Sequence, residues 1–117
     1  MPLDWNNESL AQGLRCYQAG QFFEAHEYWE LIWLRCVEPE KTFLQSLIQI
    51  TAAFEHFRRG EPAGAASLLR RSLARLENYP VTFSGVDVDE LRTSLRQWLA
   101  ALAQPGGKPA IPYPRIR

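Results

Sequence analysis

Two glycines set the punctuation of this chain: Gly20 and Gly60 each close a stretch of helix-period apolar residues, and an alanine, Ala25 or Ala65, follows five positions later. Glycine just past a helix end takes up the left-handed backbone that residues with a Cβ resist. A small residue in the turn that follows lets the next helix approach closely. Two such corners, at 20 and at 60, predict helical hairpins of the kind repeat proteins stack, although the remaining repeat signature positions are missing.

The first helix is predicted to start near Asn7, a capping residue, and to carry Leu10, Leu14 and Tyr17 up to Gly20. A second runs from about Gln21 to about Cys36, where Glu38-Pro39 breaks the chain and sets proline in the next first turn. The third reaches Gly60, with Leu44, Leu47, Ile50, Phe54 and Phe57 on one face and Gln45, Gln49, Ala52 and His56 on another. Pro62 opens a fourth, with the small run Ala63-Gly64-Ala65-Ala66 and a core face of Leu68, Leu69, Leu73 and Leu76. After an irregular crossing over 79–85, Asp87 and Glu90 have capping spacing and begin a fifth helix through Leu91, Leu95, Trp98 and Leu102. The expected fold is all-α: a compact single-domain bundle of about five helices, two hairpins plus a closing helix, over 1–104. Residues 105–117 hold four of the eight prolines, which favours an extended polyproline-like arm over another packed element. Such an arm can lie along the bundle through Ile111 and Tyr113.

With 117 residues there is room for one core. Thirteen basic and thirteen acidic residues cancel, so no global field draws the protein to nucleic acid or to an anionic membrane, and neither is expected as a partner. Arg58, Arg59, Arg70, Arg71 and Arg75 read as a solvated helix face. There is no apolar run long enough to span a bilayer, and Met1-Pro2-Leu3-Asp4 turns acidic where a leader would be basic. The expected location is therefore cytoplasmic. Cys16 and Cys36 fall far apart in the first hairpin and read as reduced thiols.

One stretch invites suspicion of chemistry: Phe22-Phe23-Glu24-Ala25-His26-Glu27-Tyr28-Trp29-Glu30-Leu31-Ile32-Trp33. Helical spacing puts Phe23, His26, Glu27, Glu30 and Leu34 on one stripe beside Phe22, Ala25, Trp29, Ile32 and Trp33, leaving a narrow strip around Glu24, Tyr28 and Arg35 for water. On that reading Glu27 and Glu30 flank or enter the core, where a carboxylate needs a partner. An antiparallel second and third helix would bring His26, Glu27 and Glu30 to Gln45, Gln49 and His56, walled by Phe23, Trp29, Trp33 and Phe54.

The two imidazoles and two carboxylates of this cluster, His26, His56, Glu27 and Glu30, are a possible donor set for a divalent metal, of which His26, Glu30 and His56 are the candidate ligands. The spacing argues against it: His26-Glu27-Tyr28-Trp29-Glu30 lacks the second histidine of the helical zinc proteases, and Ala53 stands where a paired Glu-x-x-His would need its carboxylate. No metal or other cofactor is therefore expected. General acid–base work by His26 and Glu30 at i and i+4 is the other chemical use, but no nucleophile or phosphate loop accompanies it. The preferred reading is a satisfied polar network that fixes helix register.

Phe23-Glu24-Ala25-His26-Glu27-x-x-Glu30-x-x-Trp33, then Phe43-Leu44-Gln45-x-Leu47-Ile48-Gln49 with Ala52, Ala53 and His56, resemble the small all-helical family DUF309. The likeness extends through Gly60-x3-Gly64-Ala65, Leu68-Leu69, Tyr79-Pro80 and Gly85-Val86-Asp87. It implies a helical bundle of about this length and brings no activity with it. The expected function is a small helical binding or scaffold domain whose partner is a protein, a peptide or a second copy of itself. The alternative is an enzyme, or a metal- or small-ligand-binding protein, using His26, Glu27, Glu30, Gln45, Gln49 and His56.

Overall fold

The computed structural model describes residues 2–106 and 109–117. Asn7 caps α1 (Glu8–Gln18), its side-chain oxygen accepting the amides of Ser9 at 3.0 Å and Leu10 at 3.3 Å. The chain then turns into α2 (Phe22–Trp33); the same corner recurs between α3 (Glu40–Arg58) and α4 (Pro62–Leu76). Gly20 has φ +77° and Gly60 +79°. The amides of Gly20 and Gln21 donate to Tyr17 and Cys16 at 3.0 and 2.8 Å, and those of Gly60 and Glu61 to Phe57 and His56 at 3.0 and 2.9 Å. Both are the paired C-terminal closure in which left-handed glycine returns two orphan carbonyls to the chain. Ala25 and Ala65 are fully buried, so the two corners match in backbone bonding and in close packing alike.

α2 stops at Trp33, three residues short of the predicted Cys36, because the amides of Arg35 and Cys36 fold back into tight turns on Ile32 and Trp33. Pro39 caps α3 rather than lying in its first turn. There Glu38 holds the amide of Thr42 at 2.8 Å and its hydroxyl at 2.6 Å, and these bonds pull the Glu38 carboxyl below its ordinary range.

α3 is the central element, packed between α2 and α4, and it buries Phe43, Leu44, Leu47, Ile50 and Phe54 completely. Its buried polar groups are satisfied close by: Thr51 donates to Ile48 at 2.6 Å, and Ser72 of α4 donates to Ser46 at 3.0 Å. The crossing expected to be irregular contains a minimal antiparallel hairpin, β1 (Thr82–Phe83) with β2 (Val86–Asp87), turning through Ser84 and Gly85 at φ 49° and 73°. Strands of two residues are too short to show a period. Phe83 joins Phe43 and Tyr79 in a ring cluster with centroids 4.8 to 5.1 Å apart. Asp87 then caps α5 (Val88–Leu102) through the Glu90 amide at 2.9 Å, as its spacing predicted.

Residues 109–117 carry no helix or strand, but they are not a free arm. Pro114 and Ile116 are buried, and the Tyr113 ring reaches Phe22, Phe54 and Trp98, so the segment closes the core between α1 and α5. Among the described residues no helix is long and apolar enough to cross a membrane.

Candidate functional site

α2 sits at the edge of the bundle against α1 and α3. Phe22, Ala25 and Trp29 go to the core, with Ile32 and Trp33 partly covered beside them. The stripe that spacing placed beside them faces water. Glu27 is exposed and Glu30 is 55% exposed, so neither enters the core. The expected narrow strip is in fact a broad outer face, because among the described residues no element covers that side of α2. A carboxylate there keeps its hydration and needs no buried partner.

The six polar candidates do not come together as one cluster: His26 and Glu30 pair with each other, and His56 and Gln49 turn to other partners. His26 Nε2 lies 3.2 Å from Glu30 Oε1 along α2. His56 Nδ1 lies 3.2 Å from Glu61 Oε1 at the second corner, its ring packed over Gly64 of α4. Gln49 turns to α4, where its Oε1 accepts from Arg75 Nε at 3.2 Å. Gln45 is half-buried and Glu27 stays in solvent. The helices are antiparallel neighbours as predicted, but α3 rotates the face bearing Gln49 and His56 toward α4, away from His26. Among the described residues no three His, Cys, Asp or Glu side chains gather closely enough to share a metal ion, so the set His26, Glu30 and His56 does not form one.

The expected walls separate too. Trp29 and Phe54 are core residues with no exposure, while Phe23 is 49% exposed. Trp33 is half-buried under the Lys41 ammonium, 4.7 Å from its ring, and its indole N–H is sealed without a partner among the described residues. The two thiols are free, and burial, followed by the charges of Glu24 and Glu40 respectively, pushes Cys16 and Cys36 up from the ordinary thiol range. That disfavours the nucleophilic thiolate.

The outer face of α2 and the turn that follows it present large apolar side chains beside carboxylates. Phe23, Tyr28, Leu31, Leu34 and Val37 make five of the seven large exposed hydrophobics among the described residues, with Leu34 at 71% and Val37 at 74%. A shallow depression of about 510 Å³ runs along it between Glu24, Glu27, Tyr28, Glu30, Leu31 and Leu34. Between Arg15 and Arg35 the sequence has no lysine or arginine, so the helix itself offers carboxylates and hydrocarbon together. Leu31 belongs to no catalytic motif. The usable signal was the interleaving of leucine with glutamate on one helical stripe, which fits a surface that binds better than a core.

A family profile described as "Domain of unknown function (DUF309)" matches residues 10–68, from α1 into α4. An uncharacterised protein of Aquifex aeolicus (strain VF5) is 29% identical over 107 residues, which are 91% of this chain and 32% of that protein. The chain thus spans about a third of the length of that relative. A crystal structure of a conserved hypothetical protein, TTHA0068, from Thermus thermophilus is similar at 34% identity and a TM-score of 0.67, over 86% of this chain and 100% of that one.

Proposed function

We propose, from the premise that this chain belongs to the DUF309 family, that it is a cytoplasmic helical binding module that takes up a basic, apolar-faced segment of a partner protein on the outer side of α2. The observation that carries this reading is the depression in which Tyr28, Leu31 and Leu34 lie exposed among Glu24, Glu27 and Glu30. Contiguous exposed hydrocarbon on a small soluble domain marks an interaction surface. Carboxylates at its rim select a cationic partner and raise the rate of encounter. The same charges disfavour pairing of this face with itself, since an isologous contact sets like charges against one another. A relative about three times as long, containing one stretch like this chain, fits a module used within larger proteins.

The test uses two amphipathic helical peptides of equal length, one of leucine and lysine and one of leucine and glutamate, followed by fluorescence anisotropy. The lysine peptide is expected to bind, to weaken with salt, and to lose at least tenfold in affinity to a Leu31→Ser, Leu34→Ser variant of unchanged melting temperature. Equal binding of both peptides, or none, overturns the reading, as does a dimer in sedimentation that the same two substitutions abolish.

A further inference from the structure

The C-terminal segment is attached to the bundle in an unusual way. Among the described residues 109–117 no backbone–backbone hydrogen bond is made to the rest of the chain. Side-chain donors hold the segment instead. Trp98 Nε1 donates to the carbonyl of Pro112 at 2.9 Å, Tyr17 Oη to that of Pro114 at 2.6 Å, and Gln18 Nε2 to that of Arg117 at 3.3 Å. Between these anchors the Tyr113 ring stacks on Trp98, with centroids 5.4 Å apart and planes 6° apart, and meets Phe22 and Phe54 edge-on at 4.9 Å each. Ile116, three residues on, is 3% exposed.

Proline at 109, 112 and 114 fixes φ near −65° and removes the amide donor at those three positions, and the two carbonyls that Trp98 and Tyr17 hold, those of Pro112 and Pro114, belong to prolines. A groove of aromatic rings whose N–H and O–H groups point at carbonyls is the complement of such a chain. Domains that read proline-rich peptides use the same arrangement, because a ligand already extended loses little entropy on binding. We infer that the cleft lined by Tyr17, Phe22, Phe54 and Trp98 is a recognition site for Pro-aromatic-Pro segments, that Pro112-Tyr113-Pro114 is its ligand in cis, and that a like segment of another protein can replace it. The cleft lies at the C-terminal side of the bundle and shares no exposed residue with the outer face of α2, so it stands independently of the binding reading given above.

A ligand tethered in cis competes at an effective concentration of about millimolar, so the intact chain should be largely self-occupied. The experiment follows the Trp98 indole N–H by NMR in the full-length protein while a synthetic peptide of residues 109–117 is added. In a full-length Tyr113→Ala chain, which weakens the resident ligand and leaves the cleft intact, the signal should shift saturably. The wild-type chain should need at least tenfold more peptide. A peptide with alanine in place of Pro112 and Pro114 should bind at least tenfold more weakly. If the Tyr113→Ala chain does not fold, Ile116→Ser serves the same purpose by removing a different tail contact. A folded variant that gives no saturable shift at millimolar peptide overturns the inference, and so does equal binding of the peptide without prolines.

Discussion

The indole of Trp29 occupies the space that Gly13 leaves on α1, and its Nε1 reaches one turn back to donate to the Leu10 carbonyl at 3.2 Å. A Cβ at position 13 would overlap Trp29 Nε1 and Cδ1. In an ordinary exposed helical site, replacing glycine by alanine stabilises by about 0.5–1 kcal/mol. Here the sign should reverse. Gly13→Ala is expected to cost about 1–3 kcal/mol through overpacking, and chemical denaturation reads the difference directly. An unchanged or raised midpoint would mean that Trp29 can leave α1 without loss.

The two corners give an internal control. Gly20→Ala and Gly60→Ala each force alanine into a left-handed backbone, at about 1–2 kcal/mol. A Cβ at Gly60 meets nothing within 4 Å, whereas one at Gly20 comes 3.7 Å from Arg58 Nη1, which donates to the Gly20 carbonyl. Similar losses from both variants are therefore expected, with Gly20→Ala no milder than Gly60→Ala. Parallel thermal melts check this, and a loss at only one corner would show that their matching hydrogen bonds differ in strength.

Features fixed by a few neighbouring residues could be read from the sequence. Asn7 and Asp87 cap the helices their spacing assigned to them, and Gly20 and Gly60 end theirs, because each acts on amides or carbonyls within one turn. Exposure was harder. The stripe bearing Glu27 and Glu30 has the same periodicity whether a helix covers it or not, and only the arrangement of α1 and α3 leaves it open. Convergence of His26 with His56 depended on the rotation of α3 about its own axis, and in the structure the His56 ring lies over Gly64 of α4. The tail is extended and lies along the bundle at Ile111 and Tyr113, as its prolines suggested, but its anchors were not legible, because Tyr17 and Trp98 lie 97 and 14 positions from the carbonyls they bind.

Arg92 shows how a contact distant in sequence adds to a local helix closure. Its Nη1 donates to the carbonyls of Leu76 at 2.7 Å and Tyr79 at 2.9 Å, closing the C-terminal end of α4 from α5. Arg92→Met keeps much of the stem but leaves the Tyr79 carbonyl without its donor and the Leu76 carbonyl with the Tyr79 amide alone, at 3.0 Å, and should cost about 1.5–3 kcal/mol. Its ion pair with Asp89 is long, at 3.8 Å, and Asp89 is 69% exposed. Asp89→Asn should therefore change stability by under about 0.5 kcal/mol. Equal losses from the two variants would shift the role of Arg92 from the carbonyls to the ion pair.

Tyr17 should make the fold sensitive to alkali. Burial, with Tyr113 adding, pushes its phenol far above the ordinary value of 10.0. The folded chain thus keeps a proton that the unfolded chain releases above about pH 10, so the unfolded state binds fewer protons there and stability falls as pH rises. The slope from this one group approaches about 1.4 kcal/mol per pH unit once the unfolded phenol is ionised. Cys16, Cys36 and Tyr79 are also shifted upward by burial and contribute to the wild-type alkaline limb, which is why the comparison must be with Tyr17→Phe. That variant loses the bond to Pro114 and about 1 kcal/mol at neutral pH, but it should decline more gently than wild type above pH 10, so the two stability curves converge. Curves that stay parallel from pH 7 to 11 would mean that the Tyr17 phenol reaches solvent, and that the C-terminal segment lifts away from it in the native protein.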